Sequence, residues 1–217
     1  MWSTMGNLLI TSLPAVLLCA AAAYLLGSFN SAIVVCRLMG REDVRNCGSG
    51  NAGATNMARV FGMSAGLLTL AGDMLKTAAS CLLGYFLCGD IGMAVGGCAC
   101  LFGHCFPVLH SFRGGKGVSS GAMIALVIDW RVFLCVLGAF LVAALLSKKV
   151  SLGSICGALT IFIASLAFHV SVPRLVLAGV AMLLVVVRHR ENILRIVRGT
   201  EPDFKPGKSL RRGKDEC

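Results

Sequence analysis

The hydrophobic positions of this chain are grouped into long stretches with almost no charge, and the polar residues lie between them. Seven stretches are separated by glycine, proline or charged residues. They cover residues 10–38, 64–88, 91–109, 116–128, 131–147, 151–169 and 173–187. A helix needs about 20 apolar residues to cross the roughly 30 Å hydrocarbon core of a bilayer. The pattern therefore predicts an all-α integral membrane protein with seven transmembrane helices.

Composition supports a membrane protein and excludes two other classes. Of the 217 residues, only 14% are charged, whereas soluble domains carry about 25% charged residues. The 57% hydrophobic content also excludes a largely disordered chain. We expect one transmembrane domain over residues 1–203 and a basic, disordered tail over residues 204–217. The first stretch has no basic residue before it and is predicted to be a retained span rather than a cleaved signal peptide.

Positive charge is distributed unevenly among the connections. The chain has 20 Lys and Arg against 10 Asp and Glu. With seven spans, seventeen basic residues lie on one side, and only Arg131 and Arg174 lie in connections on the other. Basic loops stay in the cytoplasm, so we predict an N-terminus outside and a cytoplasmic C-terminus. The basic excess is explained by topology, and nucleic acid is not predicted as a partner.

The 11 cysteines lie mostly inside the apolar stretches, where cysteine behaves as a small hydrophobic residue. The only spacing that suggests a zinc site is Cys98-Ala99-Cys100 followed by His104. It lacks a second pair of ligands. We therefore predict neither a metal nor another cofactor.

The first cytoplasmic connection, residues 45–59, has the composition of an anion-binding loop. Three glycines with serine, threonine and asparagine let the backbone approach a ligand and offer N–H and hydroxyl donors. Flanking Arg45 and Arg59 add positive charge. A flexible linker has no need for these side chains, so phosphate binding is favoured. The candidate residues are Arg45, Ser49, Gly50, Asn51, Thr55, Asn56 and Arg59.

A second candidate, Gly114-Gly115-Lys116-Gly117, leads directly into the fourth stretch. Free N–H groups at the start of a helix, together with a lysine, favour an anion. The segment is not a Walker A loop, because His110 and Gly117 stand where that motif needs glycine and Ser or Thr. Nucleotide hydrolysis is therefore not predicted.

A third candidate lies at the cytoplasmic end of the last stretch. Helical spacing places His189, Asn192 and Arg195 near one face, which offers a proton acceptor, an amide and a cation. A basic cap beside the membrane explains the same residues equally well. Ser151 and Ser154 open the sixth stretch on the same side, within reach of a phosphate. Ordinary N-capping by Ser151 is the simpler explanation.

Two charged residues, Asp73 and Lys76, lie three apart inside the second stretch. Unpaired charge is costly within a membrane, so we expect them to pair with each other or to face a cavity. All three polar clusters fall on the predicted cytoplasmic face. The residues thus predict a membrane protein with a site for one or more phosphates at that face, and they do not specify a reaction.

At these residues the sequence resembles the PlsY-type family, the membrane-integral glycerol-3-phosphate acyltransferases that use acyl phosphate. The matching segments are spread over most of the chain in the family's order. They are GSGNAGATN (48–56) with Arg59, DMLK (73–76), GHCFPVLHSFRGGKGV (103–118), VSLGS (150–154) and HRENILRIVRGTE (189–201). Thr77, Ser119-Ser120 and a longer basic tail depart from the family's pattern, and none of them is a residue with an assigned role.

The resemblance implies a seven-helix enzyme of the bacterial inner membrane with its active site at the cytoplasmic face. It moves an acyl chain from acyl phosphate to the 1-hydroxyl of glycerol 3-phosphate. The products are lysophosphatidic acid and inorganic phosphate, in the first acylation step of phospholipid synthesis. The expected partners are glycerol 3-phosphate, acyl phosphate and membrane lipids, and the expected state is a monomer without a cofactor.

The resemblance also implies how the acceptor is bound. Arg59 and Lys116 would bind the phosphate of glycerol 3-phosphate, and His189 with Asn192 would position its hydroxyl. Neutralised phosphate is a fair leaving group. We expect direct attack of the hydroxyl on the acyl carbonyl, with proton removal by His189 or by a substrate phosphate.

The donor would be held by Ser49 and by the loop around Gly114 and Gly115, with Ser151 nearby. The residues predicted to be catalytic are Ser49, Lys116, His189 and Asn192. Those predicted to bind substrate are Arg45, Gly50, Asn51, Thr55, Asn56, Arg59, Gly114, Gly115, Ser151, Ser154 and Arg195.

Two other functions compete with this prediction. A transporter of a phosphorylated solute would also use intramembrane charge and broken helices, but it needs polar groups near the midplane and on both sides. Here the polar groups crowd one face. A CDP-alcohol phosphotransferase uses clustered aspartates with metal, and only Asp73 lies within a predicted span.

Overall fold

Nine α-helices and two short 3-10 turns are found in residues 2–205, the part of the chain that the structure describes, with side chains described from residue 13. The structure is a computed structural model. The helices are α1 (Trp2–Ser28), α2 (Ser31–Leu38), α3 (Ala54–Phe61), α4 (Met63–Cys105), α5 (Val118–Ile128), α6 (Trp130–Ser147), α7 (Val150–Ala167), α8 (Val172–Arg188) and α9 (Arg190–Val197). Of the predicted tail, residues 206–217 lie outside the described residues.

Each of the seven apolar stretches coincides with helix. The last four correspond to α5, α6, α7 and α8 within two residues at every boundary. Two short helices, α3 and α9, lie outside the stretches. Residues 54–61 form α3, so the predicted glycine-rich loop of residues 45–59 is shorter than expected. The run that follows Gly53 contains neither glycine nor proline, and nothing in it prevents a helix.

The first stretch is broken rather than continuous, with a bend of 42° between α1 and α2. Asn30 begins α2 by accepting a hydrogen bond from the Ile33 N–H at 3.2 Å, which is N-cap geometry. The Gly27 and Phe29 carbonyl oxygens beside the break accept hydrogen bonds from Lys76 Nζ at 3.1 and 2.8 Å. A distant side chain therefore stabilises the break.

Helix α4 is a hairpin of two arms, residues 63–87 and 90–105, which match the second and third stretches. The backbone leaves the helical conformation at Cys88 and Gly89, and Gly89 has a φ of 59°, which glycine adopts without strain. Gly84 and Gly92 face each other across the arms. A Cβ on either would collide with the carbonyl oxygen of the other. Glycine is therefore required for the arms to meet.

Replacing Gly84 with alanine is expected to lower the free energy of unfolding by about 1–3 kcal/mol, the usual effect of overpacking. The arms would have to separate, because the atoms in the way are backbone. Gly138 in α6 is the matched control, since a Cβ there meets nothing within 4 Å. Thermal unfolding in detergent should give a lower midpoint for Gly84→Ala only. Equal midpoints for the two variants would contradict the packing argument.

The fold is that of an integral membrane protein. Within the described residues, three helical segments are long and apolar enough to cross a bilayer, or up to five if the bent pairs α1–α2 and α8–α9 each count as one span. Large apolar side chains cover the outer surface, and Phe86 and Leu146 are 80% and 82% exposed. Such an apolar outer surface is expected to face the lipid of a membrane.

The two ends of the helix bundle differ in their polar groups. At one end Arg174 pairs with Asp90 at 2.9 Å and donates to the Ile128 carbonyl oxygen at 3.0 Å. These contacts join the turn of α4, the end of α5 and the start of α8. At the opposite end α3, α9 and the segment before α5 surround a cavity.

Candidate active site

The cavity has a volume of about 1200 Å³. Its wall is formed by α3, both arms of α4, the segment before α5, the start of α7, the α8–α9 junction and the residues that follow α9. The acidic side chains in the wall are Asp73, Glu191 and Glu201. The basic side chains are twice as many: Arg59, Arg113, Lys116, Arg188, Arg190 and Arg195. This excess of positive charge in a concave site favours anionic ligands.

Most of the predicted site residues line this cavity, although they come from four separate parts of the chain. The lining includes Ser49, Gly50, Asn51, Thr55, Asn56, Arg59, Gly114, Lys116, Ser151, Ser154, His189, Asn192 and Arg195. Arg45 and Gly115 are outside the lining. Arg45 pairs with Asp43 at 2.7 Å and donates to the His110 carbonyl oxygen at 3.0 Å, so it joins the two 3-10 turns.

Asn56 gives the loop before α3 its shape. This side chain is only 1% exposed. Its Oδ1 accepts a hydrogen bond from the Ser49 N–H at 3.0 Å, and its Nδ2 donates to the Val44 and Cys47 carbonyl oxygens at 3.2 and 3.0 Å. The amide is therefore engaged with the loop itself. It positions the exposed Ser49 at the edge of the cavity.

Arg59 on α3 is a cation without a protein partner. Within the described residues its guanidinium makes no hydrogen bond or ion pair, and it lines the cavity. Lys116, in the segment before α5, also lines the cavity and donates from Nζ to Asn192 Oδ1. Burial, and then the positive charge of Arg195, lowers the pKa of Lys116. Both effects disfavour the positively charged form of Lys116. An anion bound beside Lys116 would stabilise that form.

Glu201 connects three of the predicted site residues. Its Oε1 accepts hydrogen bonds from Ser151 Oγ at 2.6 Å and from Asn192 Nδ2 at 2.7 Å, and its Oε2 accepts one from Arg195 Nε at 2.7 Å. Burial alone would raise the pKa of Glu201. The three hydrogen bonds outweigh it and bring the pKa below its usual value, so the group is a carboxylate at neutral pH.

The contact between Ser151 and Glu201 corrects one interpretation. N-capping by Ser151 is wrong: the N-cap of α7 is Lys149, and Ser151 lies inside the helix. Its hydroxyl donates across the cavity wall instead. Ser154, one turn later, donates to the Val150 carbonyl oxygen at 2.9 Å.

His189 lies at the bend between α8 and α9 and is 3% exposed. Its Nδ1 is 2.7 Å from the Val185 carbonyl oxygen. A carbonyl oxygen only accepts hydrogen bonds, so Nδ1 carries the proton. In the neutral ring Nε2 is then left with a free lone pair, which can accept a proton in the cavity.

Sequence reasoning missed Arg188 as well as Glu201. Arg188 Nε and Nη2 donate to the Gly115 and Gly114 carbonyl oxygens, both at 3.2 Å, and its guanidinium lies 5.2 Å from the centre of the Phe106 ring. Arg188 therefore fixes the position of the backbone at Gly114 and Gly115. In the sequence it is one of many basic residues beyond the last stretch, and no local pattern distinguishes it.

An apolar groove opens from the same cavity. It has a volume of about 260 Å³ and lies among α5, α6, α7 and α8, with α4 at its edge. Leu70, Val118, Ser119, Phe140 and Ser154 line both spaces, so the two are continuous. An anionic headgroup with an aliphatic chain fits such a pair of spaces.

Comparison with known proteins identifies the family. The family profile described as glycerol-3-phosphate acyltransferase matches residues 17–199. This chain belongs to the glycerol-3-phosphate acyltransferase family. The acyltransferase is 46% identical over 190 residues to the glycerol-3-phosphate acyltransferase of Syntrophotalea carbinolica, with 85% of this chain and 95% of that protein covered. With that of Prochlorococcus marinus it shares 39% identity over 184 residues, covering 82% and 93% of the two chains.

Solved structures show the same fold. The crystal structure of the integral membrane enzyme PlsY (YgiH) in its glycerol 3-phosphate form matches the acyltransferase with a TM-score of 0.83 and 35% identity, covering 88% of this chain and 96% of that one. The lysophosphatidic acid form of PlsY matches with a TM-score of 0.82 and 33% identity. The protein is therefore a membrane-integral glycerol-3-phosphate acyltransferase.

Proposed function

We propose that this acyltransferase uses acyl phosphate as donor and forms 1-acyl-glycerol 3-phosphate, which is lysophosphatidic acid, with release of inorganic phosphate. The observation that carries the proposal is the junction of a cationic cavity of about 1200 Å³ with an apolar groove. The cavity has room for two phosphate groups, and the groove suits a fatty chain. PlsY structures with glycerol 3-phosphate and with lysophosphatidic acid agree with this acceptor and product.

Arg59 and Lys116 bind the phosphate of glycerol 3-phosphate in this proposal. Arg59 has no competing protein partner among the described residues, and Lys116 gains a counter-charge that its burial now denies it. Ser49 and the segment at Gly114 receive the phosphate of the donor. His189 and Asn192, which line the same cavity, orient the acceptor hydroxyl.

The reaction is a direct transfer. The 1-hydroxyl oxygen forms a bond to the acyl carbon, and the bond between that carbon and the phosphate oxygen breaks. The hydroxyl proton passes to His189 Nε2, and the donor phosphate leaves as inorganic phosphate. Basic side chains around the leaving group stabilise the charge that develops on it. This scheme uses neither a cysteine nucleophile nor a metal.

The topology is part of the proposal. The bent pair α1–α2, the two arms of α4 and the helices α5, α6, α7 and α8 make seven spans, so that the N-terminus is outside and the cavity opens to the cytoplasm. The distribution of basic residues supports this orientation. The chain acts as one domain and as a monomer in the bacterial inner membrane, with residues 204–217 as a tail near anionic lipid headgroups.

The donor is tested with purified protein in detergent, glycerol 3-phosphate, and either acyl phosphate or acyl-CoA. We expect lysophosphatidic acid and equimolar phosphate from acyl phosphate alone. Product from acyl-CoA alone would overturn the donor, and a burst of phosphate without glycerol 3-phosphate would indicate an acyl-enzyme and overturn direct transfer. If neither donor gives product, uptake of glycerol 3-phosphate by proteoliposomes tests the transporter alternative.

Replacing Gly121 with leucine is expected to shift donor preference toward shorter acyl chains. Gly121 lines the groove, and a Cβ there meets only a Val185 methyl group at 3.9 Å, so the new side chain has room to enter. The KM for a long-chain acyl phosphate should rise by about tenfold, as expected for a few displaced methylene groups, while the KM for glycerol 3-phosphate stays constant. An unchanged chain-length profile would place the acyl chain elsewhere.

A further inference from the structure

Three ionisable side chains form a cluster at the wall of the cavity, and two of them, Asp73 and His104, line it. Asp73 Oδ1 lies 3.0 Å from Lys76 Nζ and 3.4 Å from His104 Nδ1. All three are buried, and Asp73 and His104 are 1% and 3% exposed. Asp73 and Lys76 were expected to pair with each other or to face a cavity; they pair, and Asp73 also lines the cavity. The inclusion of His104, from the other arm of α4, was not expected.

Lys76 and Asp73 give this cluster a fixed position. Lys76 Nζ also donates to the Gly27 and Phe29 carbonyl oxygens at the break between α1 and α2. Three acceptor oxygens, from Asp73, Gly27 and Phe29, therefore surround one ammonium group. A buried ion pair with this many partners has few alternative arrangements. His104 therefore contacts an Asp73–Lys76 pair whose position is fixed.

The opposite edge of the His104 ring faces the glycine segment. A Cβ on Gly115 would collide with His104 Nε2, and a Cβ on Gly114 would collide with the His104 carbonyl oxygen. The same carbonyl oxygen accepts a hydrogen bond from the Gly115 N–H at 3.1 Å. The backbone of Gly114 and Gly115 is thus in close contact with His104, and Arg188 donates hydrogen bonds to the carbonyl oxygens of both glycines.

We propose that His104, oriented by Asp73, is a positioning residue that sets the place of the Gly114–Gly117 segment and thereby of Lys116. The residue acts through Lys116, the next residue after the contact, and not through the substrate. Glycine is required at 115 for close approach to the His104 ring and at 114 for close approach to the His104 carbonyl oxygen. The proposal rests on the assignment of Lys116 to the phosphate of glycerol 3-phosphate.

A double-mutant cycle between His104 and Lys116 tests this proposal. The dissociation constant of glycerol 3-phosphate is measured by calorimetry for His104→Ala, Lys116→Ala and the double variant. Each single change should weaken binding by about tenfold or more, and the double variant should bind no more weakly than Lys116→Ala. Multiplication of the two effects, or unchanged binding in His104→Ala, would overturn the positioning role.

Two further variants separate positioning from general stability. His104→Asn keeps an amide at the Nδ1 position for Asp73 but loses the ring edge beneath Gly115, so it should fold and still weaken binding. Asp90→Asn removes the charge from an ion pair of 2.9 Å at the far end of the bundle and should leave binding unchanged. If His104→Asn binds like the wild type, the ring does not position the segment.

The readout distinguishes this proposal from the proposed reaction. Binding of glycerol 3-phosphate does not depend on the donor. Failure of acyl phosphate to give product, with coupled effects of His104 and Lys116 on binding, would overturn the donor and keep the positioning role. Unchanged binding in Lys116→Ala would overturn both the phosphate assignment and a route through Lys116.

Discussion

Lys116→Ala and Arg59→Ala are each expected to lower kcat/KM for glycerol 3-phosphate by roughly 30- to 700-fold. This corresponds to a loss of about 2–4 kcal/mol of transition-state stabilisation. Each removes a positive charge from a partly enclosed wall of the cavity, where water replaces it poorly. Arg59 has no partner among the described residues, so its loss breaks no ion pair of the protein and the defect reports on ligand binding. Steady-state kinetics with acyl phosphate held at saturation measures the effect.

Arg37→Ala is the matched control for these two variants. Arg37 is exposed at the end of α2 and does not line the cavity, so its loss should leave kcat/KM within about twofold. Lys116→Arg keeps the charge but replaces a compact ammonium with a planar group, and it should recover part of the lost activity. Wild-type kinetics in both Lys116→Ala and Arg59→Ala would refute the assignment of the acceptor phosphate.

The helices of this fold can largely be predicted from the sequence, because apolar runs are separated by glycine, proline or charged residues, although the run at residues 116–128 is shorter than a bilayer requires. The turn of α4 is also visible, as the short interval between the stretches that end at residue 88 and begin at residue 91. The break after α1 is different. It depends on Asn30 as a local cap and on Lys76, which is 47 residues away from Phe29. Hydropathy averaged over neighbouring residues cannot predict a contact between residues so far apart in the chain.

The candidate site was predictable where its residues form compact polar clusters between apolar runs. Lys116 and His189 stand out in this way, and sidedness alone brings their clusters to one face. Glu201 was missed because its role depends on contacts with residues distant in the chain. Ser151 is 50 residues away from it, and Asn192 is 9 residues away. A single acidic residue that follows a basic segment carries no local signal of this kind.

Contacts between distant parts of the chain also explain why Arg45 does not line the cavity. Its position beside a glycine-rich loop suggests an anion ligand, and charge is the only property that the sequence reveals. In the fold the guanidinium is already paired with Asp43 and bonded to the His110 carbonyl oxygen. The choice between a ligand and a structural partner is made by tertiary contacts, so charge near a glycine loop predicts a site and not its members.

Glu201→Ala is expected to reduce both activity and stability. Its carboxylate accepts three hydrogen bonds, and loss of a buried acceptor for charged or polar donors costs about 1.5–3 kcal/mol. The exposure of Arg195 reduces its share of this effect, since its side chain is 40% exposed. Asn192 would lose the bond that orients its amide toward Lys116, so kcat/KM for glycerol 3-phosphate should also fall, by about tenfold or more.

Asp203→Asn is the control for Glu201, because it lies two residues later and also pairs with a basic side chain. The Lys149–Asp203 contact of 2.9 Å is at the surface, with Asp203 45% exposed, and such pairs contribute about 0–1 kcal/mol. Glu201→Gln keeps one acceptor oxygen for Ser151 and Asn192 but brings an NH₂ group toward Arg195. It should therefore be more stable than Glu201→Ala and less active than the wild type. Thermal unfolding and steady-state kinetics compare Glu201→Ala with Asp203→Asn. Equal unfolding temperatures and equal turnover rates would mean that water fully replaces the three hydrogen bonds of Glu201. Glu201 would then have no part in forming the site.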